Sequence, residues 1–155
     1  MADPDSLVIF RRALSADRRR GLEAFAIRLK REVTGGRRFL CLITGDRELR
    51  RLNRRFLGKD YPTDVLSFPA PKGPAPANRR ECSLGEVAIS AERAARQARR
   101  FGHRTDEEIC VLMLHGLLHL LGMDHVEDGG RMARAEARWR KKLGLPMALT
   151  ERVRL

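Results

Sequence analysis

TDEEICVLMLHGLLHLLGMDH, residues 105–125, is the stretch on which the reading of the fold turns. Thr105-Asp-Glu-Glu108 has the pattern of a capping box, in which a hydroxyl and a later glutamate satisfy the open amides of a helix start. From Ile109 to about Leu121 the helix so opened is apolar on nearly every side. Such a helix has no face to give to water and belongs inside the domain. His115 and His119 interrupt the apolar run four residues apart, so they stand one turn apart on one face. Gly122 is a residue at which the helix can end and the chain reverse, which lets His125 approach the same point from the side.

Neutral imidazole holds zinc at about 2.0–2.1 Å, and three protein ligands leave a fourth position for water or substrate, the pattern of catalytic rather than structural sites. His115, His119 and His125 are therefore the candidate ligands of one zinc ion. Imidazole also suits nickel, copper and iron, so the residue types do not select the metal. A single histidine here would read as a satisfied polar group at a helix end; three at this spacing on a buried helix read as a metal site. His103 lies outside the register, at a helix junction, and reads as a surface or capping residue. Metzincin proteases share the spacing but carry Glu directly after the first histidine as general base. Here that position is Gly116, so a peptidase would lack its base, and the bet moves to phosphodiester chemistry. Asp124 is either a partner for a ligand histidine or a turn residue beside Gly122.

Outward from this helix the chain alternates short strands and helices. Leu7–Phe10 reads as a first strand. Ser15 can cap a helix with Leu22, Phe25, Ala26, Leu29 and Val33 in phase, stopped at Gly35-Gly36. The opposite face of that helix, with Arg18, Arg19, Arg20, Arg28 and Arg31, reads as wet surface. Phe39–Ile43 is apolar on both faces and suggests a central strand. Thr44-Gly45-Asp46 opens a second helix, ended by Gly58. Asp64–Phe68 lies between prolines, which favours a short or edge strand. A proline-rich loop follows, then a strand over Leu84–Ile89, expected antiparallel to the third. Ser90 caps a helix ending at Gly102. Asp128 is the expected cap of a last helix with Met132, Ala135, Glu136, Trp139 and Leu143 in phase. Without repeats or an interdomain linker, residues 1–155 read as one α+β domain: a small, mostly four-stranded sheet packed with about five helices around the central apolar helix.

The length, 155 residues, suffices for such a domain with its own core. The 32 basic residues exceed the 20 acidic ones by 12, and only five of the basic residues are lysines. Arginine forks match phosphate and stack on bases, so nucleic acid is the leading partner, with a solvated basic surface as the plain alternative. Met1-Ala-Asp-Pro-Asp5 lacks the basic and apolar regions of a signal peptide. The longest apolar run, around 109–123, is too short to span a bilayer. Cys41, Cys82 and Cys110 are odd in number and lack C-x-x-C spacing. They read as reduced thiols of a cytosolic protein, with Cys41 and Cys110 in the core.

These residues carry a resemblance. His115-Gly-Leu-Leu-His119-Leu-Leu-Gly122-Met-Asp124-His125 resembles the signature of the YbeY family, bacterial rRNA maturation factors also described as single-strand-specific metallo-endoribonucleases. Leu52-Asn53 with Gly58-Lys59-Asp60 and Pro62–Pro69 resembles a second block of the family. Leu84–Ser90 resembles its G-D/E-I-x-I-S strand, and Met132, Glu136 and Leu143–Pro146 its closing helix. The resemblance spans about residues 38–146 in the right order. It implies a zinc-type metal on His115, His119 and His125, a cytoplasmic location, and a role in processing the 3′ end of small-subunit rRNA and in ribosome quality control. Family members often carry Arg, thought to help with substrate phosphate, where this chain has Leu57.

Three functions follow as expectations. The first is a metal-dependent endoribonuclease acting on rRNA, through a metal-polarised phosphate or hydroxide or through the substrate's own 2′-OH. Arg54, Arg55 and Lys59 are its candidate phosphate contacts, each with surface charge as the alternative. Ser67 and Asp64 are candidate cleft residues, Asp64 equally a turn cap. The second is a non-catalytic ribosome-assembly or RNA-binding factor with a structural metal, which the Leu57 departure and the missing base keep open. The third, a peptidase-like metal hydrolase, has Gly116 against it.

Overall fold

The computed structural model describes residues 5–71, 83–124 and 129–146. Cys82, His125 and Asp128, each given a role above, lie outside the described residues. Within them the order is β1 (Val8–Phe10), α1 (Ala16–Glu32), β2 (Arg38–Thr44), α2 (Asp46–Leu57), β3 (Val65–Pro69), β4 (Ser83–Ser90), α3 (Ala91–Phe101), α4 (Thr105–Leu120) and α5 (Arg131–Leu143).

The strands form one mixed sheet in the order β1-β2-β4-β3. β1, β2 and β4 run parallel, while β3 is an antiparallel edge strand on β4. The two-sided apolar pattern of residues 39–43 is thus that of an inner strand, and the proline-flanked strand lies at the edge. Side chains alternate across the sheet. Phe39, Cys41, Ile43, Val87 and Ile89 join the main core with Leu22, Ala26 and Leu29 of α1 and the body of α4. Leu42, Leu66, Phe68 and Ala88 form a smaller cluster with Leu49 and Leu52 of α2. The sheet is therefore covered on both faces, and α4 lies inside the larger core, with eleven of its sixteen residues buried.

Two helix starts differ from expectation. Arg104, not Thr105, is the N-cap of α4, and its N–H donates to Glu107 Oε1 at 3.0 Å. Glu108 is fully buried beside Ile109, so the more accessible Glu107 does the capping. At α5 the cap position is Gly130, in the left-handed conformation and without a side-chain bond. The basic face of α1 is also not all wet surface. Arg18 donates to Asp106 from both Nε (3.0 Å) and Nη2 (2.7 Å), which ties α1 to the first turn of α4.

The expected caps at Ser15 and Ser90 are present, each accepting from the backbone N–H three residues on. Ser90 has a second role. Its hydroxyl donates to Asp46 Oδ1 at 2.6 Å, and Arg96 donates to Asp46 Oδ2 at 2.7 Å, so one carboxylate joins α2, β4 and α3. Burial pushes the Asp46 carboxyl up, but the bonds from Arg96 and Ser90 and the charges of Arg96 and Arg93 outweigh it and hold the pKa below the ordinary aspartate value. A carboxyl whose folded pKa is depressed adds stability that is complete above its unfolded value, about 3.9, and is lost as pH falls through the folded value. Urea titrations should therefore show that wild type loses more stability than Asp46→Asn between about pH 5 and pH 3. Equal losses would show that Asp46 is not linked to folding.

Candidate functional site

The chemistry gathers in a cleft of about 600 Å³ between β3, the loop before it and the C-terminal end of α4. Asp64 and Ser67 line it from the strand side, His115, His119 and Asp124 from the helix side, and Leu57 and Met123 form apolar walls. α4 ends as the glycine predicts. Gly122 has φ +90°, its N–H reaches His119 O at 3.0 Å, and Met123 N–H reaches Leu118 O at 3.1 Å.

Gly116 sets how close α4 comes to the sheet. A Cβ there would stand 2.5 Å from Val87 Cγ1 and 3.1 Å from Ser67 Oγ. Ser67 and Val87 are direct partners across β3 and β4, so α4 rests on that pair. Ser67 Oγ also donates to Gly116 O at 2.9 Å, which binds the helix backbone to the edge strand. A side chain at the position that holds a glutamate base in metzincins would thus have to displace Val87.

The two histidine rings meet at a centroid distance of 4.9 Å and an angle of 74°. His115 is 5% exposed, and its Nδ1 lies 3.0 and 3.2 Å from the two carboxylate oxygens of Glu136 on α5. A carboxylate only accepts, so Nδ1 carries a proton and Nε2 is the nitrogen not turned to Glu136. This is the arrangement that fixes the tautomer and ring orientation of metal-binding histidines. Sequence reading did not single out Glu136, which is 0% exposed, as a histidine partner. The available signal was an acidic residue in phase with Met132, Ala135 and Leu143 on the buried face of α5.

Asp64 is among the cleft residues, as expected. Its carboxylate accepts from Val65 N–H (2.8 Å) and from Gln97 Nε2 (3.0 Å), joining the start of β3 to α3. Arg54, Arg55 and Lys59 are exposed at the end of α2 and in the turn after it, outside the cleft lining, whereas Leu57 is part of it. Among the described residues no group of three His, Cys, Asp or Glu side chains could hold a metal. They supply two of the three candidate ligands.

The family description "Endoribonuclease YbeY" matches residues 14–144. A Solibacter usitatus protein named Endoribonuclease YbeY is 58% identical over 154 residues, which is 99% of each chain. The chain belongs to the YbeY endoribonuclease family. A Koribacter versatilis YbeY endoribonuclease is 41% identical, covering 94% of this chain and 91% of its own. The solution structure of a Thermotoga maritima protein superposes with a TM-score of 0.59 at 21% identity, over 88% of this chain and 87% of that one, and so shares the fold. The mixed sheet with a buried helix is therefore the YbeY arrangement, and the histidine cleft lies within the matched segment.

The close seat of α4 makes a stability prediction. Alanine at 116 gains about 1 kcal/mol of helix propensity but forces Val87 to move, and overpacking of this kind costs roughly 1–3 kcal/mol. Denaturant unfolding should show Gly116→Ala as net destabilised. In a double-mutant cycle with Val87→Ala the double variant should lose less stability than the sum of the two single losses. Full additivity would mean that the two residues do not press on each other.

Proposed function

We propose that this endoribonuclease-family protein cleaves RNA with the help of a zinc-type metal ion held by His115, His119 and His125. Its substrate would be the 3′ region of small-subunit rRNA in the cytoplasm. The observation that carries the metal reading is the Glu136–His115 pair. It spends a fully buried carboxylate on one nitrogen of a ring that, with His119, lines the cleft, as a carboxylate does for metal-binding histidines. The donor set fits a transition metal of the imidazole-binding kind. When bound, such an ion supplies Lewis-acid polarisation of a phosphate oxygen and activates water. The chain's own part is to orient and to exclude. Glu136 holds the His115 ring, the Ser67–Gly116 bond holds the backbone that carries both histidines, and Leu57 and Met123 make an apolar wall. The closed position at Gly116 argues against a peptidase of the metzincin type.

Among the described residues no helix is long and apolar enough to cross a membrane. One observation favours the second reading, a non-catalytic RNA-binding or ribosome-assembly factor. Leu57 lines the cleft where the family resemblance leads one to expect Arg, and Arg54, Arg55 and Lys59 stand outside the lining.

Purified protein loaded with zinc should cleave a single-stranded fragment of small-subunit rRNA, and His115→Ala should abolish cleavage. Tight RNA binding without cleavage by the wild type would establish the second reading instead. The metal assignment has its own test. Glu136→Gln should weaken zinc affinity about 10–100-fold in competition with a chromophoric chelator. Unchanged affinity would remove His115 from the ligand set.

A further inference from the structure

Large apolar side chains of the described residues are exposed at five positions: Ile9, Ile27, Phe56, Leu57 and Tyr61. The last three fall within six residues, on the end of α2 and the turn towards β3, and are each more than half exposed. Leu57 is itself a wall of the cleft. A folded chain gains nothing by keeping apolar surface in water, so a cluster of this kind beside a functional cleft marks a contact surface.

We propose that Phe56, Leu57 and Tyr61 form a stacking platform for an unpaired nucleobase of the RNA strand at the mouth of the histidine cleft, with Arg54, Arg55 and Lys59 facing its phosphates. The proposal deepens the RNA reading above and rests on it. Three observations select this occupant. The first is ring geometry. Phe56 stands edge-on to Phe68 at 5.2 Å and 60°, and the Arg55 guanidinium lies 5.4 Å from the Phe56 centroid. An aromatic ring with a guanidinium plane over it is a surface on which bases stack.

The second is rigidity. Asn53, 2% exposed, donates from Nδ2 to Tyr61 O at 2.9 Å and accepts at its own backbone O from Lys59 N–H at 3.3 Å. Arg50 grips Asp60 through two bonds of 2.9 and 3.2 Å. The turn is thus held in place before any ligand arrives, which lowers the ordering cost of binding. The third is charge. Arg50 and Arg51 are matched by Asp60 and Glu48, while Arg54, Arg55 and Lys59 enter no such pair among the described residues. The apolar surface is therefore rimmed by cations not already committed to carboxylates, as a polyanion requires and an acid-poor protein partner does not. Bases in a duplex hide their faces in the stack, so the platform takes only unpaired bases, and purines, with the larger ring face, best.

The test is equilibrium binding of a short 2′-O-methyl oligoadenylate, and of an abasic oligomer of the same length and backbone charge, to the full chain. Wild type should bind the oligoadenylate more tightly than the abasic probe. Phe56→Ala and, independently, Tyr61→Ala should weaken oligoadenylate binding about tenfold and leave the abasic probe unchanged, and Phe56→Tyr should restore it. Alanine variants that bind oligoadenylate like wild type, or that lose both probes alike, overturn the platform. If wild type still cleaves rRNA in that case, only the platform falls, and the surface is left to a protein partner. If wild type neither cleaves RNA nor binds either oligomer, the platform falls together with the RNA reading.

Discussion

The seat of α4 on the β3–β4 pair is the constraint from which the cleft follows. An α-helix turns by about 100° per residue, so the residue placed against the sheet decides where every other side chain points. With Gly116 pressed on Val87 and Ser67, and its carbonyl bonded to the Ser67 hydroxyl, the rotation of α4 about its own axis has no freedom. His115 and His119 are then committed to the side facing the cleft. A larger residue at 116 would lift the helix and move both rings together. The same contact explains why a serine lies on an edge strand otherwise made of Val65, Leu66, Phe68 and Pro69. A hydroxyl is small enough to fit below a helix backbone and polar enough to bond it.

A helix buried on every side cannot carry polar side chains without partners inside the protein. A buried polar group left unpaired costs about 1–3 kcal/mol, and a buried charge more. His115 meets this condition through Glu136, and Glu136 through His115, so each makes the other tolerable in the core. The consequence reaches beyond the pair. α5 must dock where its glutamate can reach α4, and the apolar contacts of Met132, Ala135 and Leu143 around it complete that docking. The helix that closes the domain is thereby also the one that orients the site.

Most of the fold was legible in the sequence because its signals are local. Phe39–Ile43 is apolar at every position, which only an inner strand satisfies; Pro62 and Pro69 mark the edge strand; Ser15 and Ser90 stand where caps must stand. The start of α4 was misplaced by one residue because Glu107 and Glu108 are equivalent as letters, and only burial tells them apart. The site was legible in part. His115 and His119 follow from helical spacing, and they do meet. The phase of α5 puts Glu136 on its buried face, but not beside His115, since a contact across 21 residues depends on how α5 crosses α4. The meaning of Gly116 was read from a comparison with proteases, whereas its physical cause, the Val87 methyl groups, lies on another strand.

The net charge of +12 also reads differently once the structure is known. Arg18, Arg50, Arg51 and Arg96 are paired with Asp106, Asp60, Glu48 and Asp46, so much of the arginine holds elements together or is neutralised at the surface. Counting basic residues therefore overstates the surface offered to a polyanion. What acts at a distance is the excess, screened beyond about 8 Å in physiological salt. Among the described residues the cleft itself is lined by two histidines, two aspartates, a serine and apolar side chains rather than by arginine. The excess positive charge can raise the local concentration of a polyanion, but it cannot choose which phosphate enters between His115 and β3. That choice falls to the rim, where α2 ends and the chain turns, because there, among the described residues, cations without a carboxylate partner and exposed rings stand beside a wall of the cleft.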